Sequence, residues 1–435
     1  MTQTSQLPRT TAPVQARVES GPGSIGARPA AAIALLTGGG DRPYALGITA
    51  ALTARGVGVD FIGSDALDCP ELRSQPLVNF LNLRGDQRPD ASAPRKLWRV
   101  LAYYGRLLKY AATARPKIFH ILWNNKFEFL DRTAVMLWYR LLGRRIVLTA
   151  HNVNACQRDA NDSRLNRLSL CIQYRLADHV FVHTEKMKRQ LLESFQVPDG
   201  KATVIPFGIN NTVPNTSLTA AQAKERLGLG PAEKVLLLFG GITPYKGMEY
   251  AVEALALLSG RDNALRLLIA GKPKPDGAGY WISIRDAINR QGLADRAIIR
   301  GEYIPDEETE VYFKAADVLL LPYTHVFQSG VLFLGYSFGL PVLVADVGSL
   351  KDDILEGETG FVFRPEDPVD LAVTIEKYFA SDLFADLNDR RQEIRDFATE
   401  RHSWDVVGQM TMGVYAHLLR TPAREVPTDH NSTVV

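Results

Sequence analysis

Short apolar runs that end in glycine recur along this chain and alternate with helical stretches. AAIALLTGGG (31–40) leads into YALGITAALTARG (44–56), an amphipathic helix closed by a glycine, and then into VGVDFIG (57–63). KIFHILW (117–123), RIVLTAH (145–151), HVFVHT (179–184) and ATVIPFG (202–208) continue the series. The second half starts again with KVLLLFGG (234–241), LRLLIAG (265–271), RAIIRGEY (296–303), DVLLLPY (317–323) and PVLVADV (341–347). Strands this apolar, joined through helices, belong to parallel sheets covered on both faces. Two series in one chain predict an α/β protein with two open parallel sheets, one after the other, and 435 residues is more than one ordinary core organises.

The boundaries follow from composition. Residues 30–212 form the first domain and 213–400 the second, with a polar linker near Asn210–Thr219. Residues 401–420 read as a helix returning to the first domain. Residues 1–29 are rich in Pro, Gly, Ser and Thr and lack an apolar signal core, so they read as a disordered leader; 421–435 reads as a disordered tail. Three cysteines, Cys69, Cys156 and Cys171, show no paired spacing, against a disulfide framework or a zinc site and in keeping with a reducing compartment. No run of 18 apolar residues occurs, so no transmembrane helix is expected.

Two glycine-rich turns mark the chemistry. FGGITPYKG (239–247) ends a strand in Gly240 and Gly241, then places Lys246 and Gly247 at a helix start; GYSFGLPVLVADVGSLKDDILEGETGFVF (335–363) adds a second turn about ninety residues on. Free backbone N–H groups at helix N-termini, helped by a lysine, hold phosphate. A lysine at a helix start slightly opposes the dipole, which favours function over plain solvation. No Asp-x-Asp pair stands at a strand end to carry a metal–diphosphate complex, and the adjacent Asp352 and Asp353 would point apart on a helix.

Charge divides the chain. Residues 1–212 hold 28 Lys+Arg against 16 Asp+Glu, whereas 213–435 hold 22 against 32. The excess concentrates between Arg84 and Arg145, with 14 basic and 4 acidic residues. Within it, RKLWRVLAYYGRLLKYA (95–111) places Arg95, Lys96, Arg99, Arg106 and Lys109 on roughly a 140° arc, with Leu97, Leu101, Tyr104 and Leu108 opposite and Trp98, Tyr103 and Tyr110 flanking. The leucine face is expected to pack on the sheet. The basic face meets either water or anionic lipid headgroups. Nucleic acid is not expected, since no nucleic-acid motif accompanies the basic residues.

FGGITPYKGMEYAVEAL, DVLLLPYTHVFQSG and SFGLPVLVADVGSLKDDILEGETGFVF resemble the donor-domain motifs of family 4 retaining glycosyltransferases, and ADHVFVHTEKMKRQLLESF…KATVIPFGIN (177–210) is similar to their domain junction. The resemblance implies the GT-B fold, two facing Rossmann-like domains. It implies a nucleoside diphosphate sugar bound mainly by the second domain, an acceptor bound by the first, and no metal or other cofactor. Lys246 then matches the donor-phosphate lysine. His151 matches a histidine near the donor sugar, and Gly38, Gly39 and Gly40 match a loop facing the phosphates. Tyr303 sits where the nucleobase lodges, with packing an equal alternative. Gln328, Ser329 and Gly330 precede an apolar helix, where Ser329 could meet a phosphate or simply cap the helix. The chain departs from the pattern at Gly241, where many members carry arginine, and at Val326 and Leu334, where many carry glutamates.

The expectation is therefore a cytoplasmic, peripherally membrane-bound glycosyltransferase acting on a hydroxyl acceptor, lipid-linked or saccharide, in bacterial exopolysaccharide, capsule or glycolipid assembly. The alternative is a catalytically weak nucleotide- or carbohydrate-binding protein of the same fold.

Overall fold

The computed structural model describes residues 32–88, 92–125, 127–158, 162–209, 213–274 and 277–420. The expected leader and tail, and the first residues of the expected linker, lie outside the described residues.

Two all-parallel sheets carry the fold. In the first, β1 (Ile33–Leu36), β2 (Val59–Gly63), β3 (Val78–Asn82), β4 (Ile118–Ile121), β5 (Arg145–Thr149), β6 (His179–Val182) and β7 (Ala202–Val204) stand in the order β3-β2-β1-β4-β5-β6-β7. In the second, β8 (Lys234–Phe239), β9 (Leu265–Ala270), β10 (Ala297–Arg300), β11 (Val318–Leu321), β12 (Val342–Ala345) and β13 (Gly360–Phe363) stand in the order β10-β9-β8-β11-β12-β13. Each order reverses direction beside its first strand, between β1 and β4 and between β8 and β11. Those switch points leave a crevice at the carboxyl ends of the strands, where ligands of open α/β sheets bind.

Sequence periodicity overlooks β3, because VNFLN is half-exposed at a sheet edge and its apolar signal is diluted. Strands β1, β4, β8 and β11 are read easily because neighbours on both sides and helices on both faces bury them almost completely.

The helix Arg42–Thr53 begins with an Asp41 N-cap that accepts from the Tyr44 N–H at 2.9 Å. Thr219 opens the helix Ala220–Arg226 with a capping box completed by Gln222. The helix Trp404–Arg420 crosses back to lie on Arg42–Thr53, burying Val407, Tyr415 and Leu418 in the first sheet's core. Trp404 fastens this return by donating from Nε1 to the Ile209 carbonyl at 2.8 Å.

The basic helix differs from its expected orientation. Ala93–Thr113 buries Tyr103, Leu107 and Ala111, while Leu97, Trp98, Leu101 and Leu108 are exposed, Trp98 to 70%. Arg99 turns inward and donates to the carbonyls of Asp86 and Arg88, both at 3.2 Å. The tyrosines decide the rotation. Tyr103 donates to Asn125 Oδ1 at 2.7 Å, Tyr104 to Asp131 Oδ1 at 2.9 Å and Tyr110 to Asp60 Oδ2 at 2.7 Å. An arc that scores leucine as more apolar than tyrosine misses the acceptors that three hydroxyls find on other elements.

Candidate functional site

The site begins where β8 ends. Lys246 closes a short 3₁₀ turn, Pro244–Lys246, and folds back so that its buried Nζ donates to the Phe239 carbonyl at 2.7 Å. Gly247 follows at φ 60°, and a Cβ there would come 2.0 Å from the Pro322 carbonyl oxygen, so only glycine joins this turn to the helix Met248–Leu258. Burial pushes the Lys246 ammonium down to about 8, because a single carbonyl and the Tyr323 ring 5.5 Å away replace its water. Gly240 lies against the Lys246 ammonium and Val331, which ties the turn to the helix Gly330–Ser337.

That helix starts after Ser329. The Ser329 hydroxyl makes no capping bond; it pairs with the Tyr323 hydroxyl at 3.3 Å, so the first N–H groups of the helix are left by their own cap. Gln328 reaches Asp353 at 3.4 Å and keeps its Oε1 buried without a partner among the described residues. Gly330 adjoins Phe207. Val326 and Leu334, in the two positions where glutamates are common, are buried in the second sheet's core and offer no polar atom.

Gly241 is not simply a lost cation. Lys274, from the loop after β9, lies with its Cε 3.3 Å from where a Gly241 Cβ would stand, and its charge helps to hold the Lys246 proton affinity down. A second ammonium therefore stands beside the turn that the sequence assigned to Lys246 alone. Nothing in local sequence identifies it, since it arrives from the next strand.

Across the crevice, His151 follows β5. Its ring stacks on Trp123 at 4.2 Å and meets Tyr44 edge-on at 4.6 Å. Its Nδ1 is 3.0 Å from His183 Nε2, and His183 Nδ1 donates to the Ile205 carbonyl at 3.3 Å. Burial drives His151 well below the ordinary histidine range and His183 to about 4, so both are neutral. The carbonyl fixes the tautomers. His183 carries its proton on Nδ1, its Nε2 accepts from His151 Nδ1–H, and His151 Nε2 keeps a lone pair. That Nε2 is buried with no partner among the described residues. His183 was missed from sequence, although it ends β6 as His151 ends β5.

Phe207 links the two halves. It lies 5.0 Å from His183 and stacks on Phe333 at 5.6 Å. Beside it, a cavity of 640 Å³ is lined by His183 and Lys186 from one half and by Gln328, Ser349, Asp353 and His402 from the other. Burial raises Asp353 to about 7. Gly38 and Gly40 follow β1 and pack on Trp123, while Gly39 adjoins Arg84. Tyr303 is 68% exposed beyond β10. Lys246, Gly240, Gly241, Gly247, Ser329 and Gly330 thus gather on one side of the crevice, and Phe207 connects them to His151 on the other. Among the described residues, no group of three or more His, Cys, Asp or Glu side chains could hold a metal ion, and no helix is long and apolar enough to cross a membrane.

Comparison with known proteins gives the same geometry a family. Residues 38–212 match glycosyltransferase family 4, and residues 233–381 match glycosyl transferases group 1. A D-inositol 3-phosphate glycosyltransferase of Acidothermus cellulolyticus is 27% identical over 400 residues, 88% of this chain and 86% of that protein. One of the same name from Nocardia farcinica is 32% identical over 199 residues, 45% of this chain and 44% of its own length. The match to another, from Streptomyces avermitilis, covers 55% of that protein, so alignments to these last two span about half their length. Among solved structures, HepE of Anabaena in complex with UDP and glucose superposes with a TM-score of 0.70 at 16% identity, covering 88% of this chain and 99% of that one. Sucrose-phosphate synthase of Thermosynechococcus elongatus gives 0.69 at 19%, covering 89% and 98%. Two parallel switch-point sheets, a lysine-bearing glycine turn facing a strand-end histidine, and these matches together make the chain a member of glycosyltransferase family 4 with the GT-B fold.

Proposed function

We propose that the protein transfers a sugar from a nucleoside diphosphate sugar to a hydroxyl acceptor, with retention of configuration. The observation that carries this is the buried Lys246 ammonium at the β8/β11 switch point, beside the uncapped start of the helix Gly330–Ser337. A diphosphate leaving group gains negative charge as the glycosidic bond breaks. A fixed ammonium and oriented N–H groups stabilise that charge without reorganising. Lys274 adds a second cation, so the leaving group is expected to need no divalent ion. His151 Nε2 would accept from a donor-sugar hydroxyl and orient the ring. The Anabaena structure with UDP and glucose supports a nucleotide-sugar donor of this kind.

The acceptor is proposed to be lipid-linked and reached from an anionic membrane surface, as in exopolysaccharide, capsule or glycolipid assembly. Exposed Leu97, Trp98, Leu101, Phe129 and Leu141 support that reading, because these side chains gain by leaving water. Arg95, Lys96, Arg106 and Lys109 are exposed on the same helix and suit anionic headgroups. The relatives named for D-inositol 3-phosphate instead point to a soluble phosphorylated acceptor.

Burial of Val326 and Leu334 keeps the second reading alive, a protein that binds a sugar nucleotide but barely turns it over. A screen of purified protein against UDP-, GDP- and ADP-sugars, scoring binding and donor cleavage with and without EDTA, separates the two. Cleavage that persists in EDTA supports the transferase; tight binding without turnover supports the second reading; strict dependence on added Mg²⁺ or Mn²⁺ overturns the electrostatics proposed for Lys246.

A further inference from the structure

A basic cavity lies wholly within the first half. It encloses 320 Å³ between the helix Ala93–Thr113 and the loops that follow β3 and β4, and Arg84, Arg88, Lys96, Arg99, Tyr103 and Asn125 line it. Four cations face one carboxylate there, Asp86, which pairs with Arg88 at 3.0 Å and Arg99 at 3.4 Å. Arg84 and Lys96 form no ion pair among the described residues. Arg84 Nη1 is buried without an acceptor among them, a stranded guanidinium donor of the kind that costs free energy unless an anion arrives. The helix itself breaks a local rule. Arg95, Lys96 and Arg99 fall in its first two turns, where the dipole already presents positive charge, and its first turn holds no acidic residue. Crowding cations against a positive helix end is unfavourable for an empty site and favourable for an anion-binding one.

Position gives the anion its role. Arg84 lies against Gly39, where a Cβ would come within 2.0 Å of Nη1, so the cavity adjoins the turn after β1 at the crevice. Its outer side is apolar: Phe127 lines it and is 47% exposed, and Leu97 and Leu101 are exposed on the same helix as Lys96 and Arg99.

We propose that this cavity binds a phosphate or diphosphate group carried by the acceptor, with Arg84 and Arg99 as the principal ligands and Lys96 and Arg88 at the mouth. The anchor would hold the acceptor by its charge and present its hydroxyl to the crevice. A charged anchor remote from the reacting hydroxyl supplies binding that is spent on orientation. The assignment rests on the transferase reading, and the phosphate could be borne by a lipid or by a soluble sugar phosphate.

The test uses the full chain as wild type, as Arg84→Gln/Arg99→Gln and as Lys246→Ala. Each is titrated with UDP, with inorganic pyrophosphate, with glucose 1-phosphate and with phosphatidylcholine vesicles carrying a few per cent of a polyprenyl diphosphate. The double variant is expected to lose tenfold or more in affinity for glucose 1-phosphate or for the doped vesicles, while binding UDP as wild type does. Lys246→Ala should show the reverse. Which of the two ligands is lost tells a soluble acceptor from a lipid-borne one. If the double variant misfolds by thermal melting, Lys96→Gln, an exposed change, should still weaken the same ligand about threefold. Undiminished binding of both phosphate esters, or pyrophosphate binding that depends on Lys246 alone, overturns the proposal. A wild type that binds no nucleotide yet holds the phosphate ester at Arg84 and Arg99 would fail the transferase reading and leave the cavity standing.

Discussion

The two halves meet the crevice with opposite arrangements of charge. In the second half, one ammonium is buried in a glycine turn with a single carbonyl for company, and the flanking acidic positions have become Val326 and Leu334. In the first half, the crevice holds a neutral, stacked histidine, and the cations stand apart in a separate cavity. A single desolvated charge acts strongly on one group at a fixed place. Several charges spread around 320 Å³, from the half-buried Arg84 and Arg99 to the exposed Lys96 and Arg88, act together on something larger. Electrostatic stabilisation is therefore expected to change during reaction at Lys246 and to serve binding alone at Arg84 and Arg99.

The largest test of that contrast is Lys246. Lys246→Ala should cost about 3–4 kcal/mol of transition-state stabilisation, a hundredfold or more in turnover. Stability should move the other way. With its proton affinity lowered to about 8, the buried lysine opposes folding at neutral pH by roughly 3 kcal/mol, through pKa linkage. Lys246→Met should therefore melt higher than wild type at pH 7 while remaining inactive. Between pH 8 and the ordinary lysine range the unfolded chain binds the extra proton, so wild-type stability should rise with pH there and the variant's should not. A variant that melts lower and stays active would erase the distinction between the halves.

His151 and His183 come next. If His151 Nε2 accepts from a substrate hydroxyl, His151→Ala should lose on the order of tenfold to a hundredfold in kcat/KM per folded molecule, the range of one buried hydrogen bond left unmade. It should also melt lower, because the ring is packed against Trp123 and Tyr44. His183→Ala touches no substrate but frees the tautomer of His151, so a loss of roughly tenfold is expected. Equal activity of both variants would return the pair to a purely structural role.

Acid should expose the same pair through stability. Burial holds His151 well below the ordinary range, His179, His183 and His402 at about 4 and His120 at about 3. Below about 6.5 the unfolded chain binds protons that the folded chain refuses, so stability falls as pH drops from 6.5 toward 4. The melting temperature should decline across that window, and less steeply in His183→Ala. Asp353, raised to about 7, acts in the opposite sense, so the decline is read against Asp353→Asn; a profile still flat in that variant would mean that these rings are charged in the fold.

The smallest effect is expected at Lys274. Its side chain is exposed, so Lys274→Ala should weaken UDP binding only about threefold, as hydrated cations do. A loss as large as that of Lys246→Ala would show that the missing arginine position is filled in full from β9.

Sequence determined the frame because the frame is local. Apolar runs between helices fix parallel strands, and Gly240, Gly247 and Gly39 mark turns of positive φ that glycine takes readily, so the switch-point crevice and the position of Lys246 were legible from the sequence. His151 was legible because it ends a strand. Tertiary structure alone decided what came from elsewhere in the chain. Lys274 reaches Gly241 from β9, and His183 sets the tautomer of His151 from the neighbouring strand. The rotation of the helix Ala93–Thr113 was settled by Asn125, Asp131 and Asp60, three acceptors on other elements whose need for a donor outweighs the gain from burying leucine. A helix's own sequence sets how its residues are spaced; which face turns inward depends on the partners that the rest of the fold brings to it.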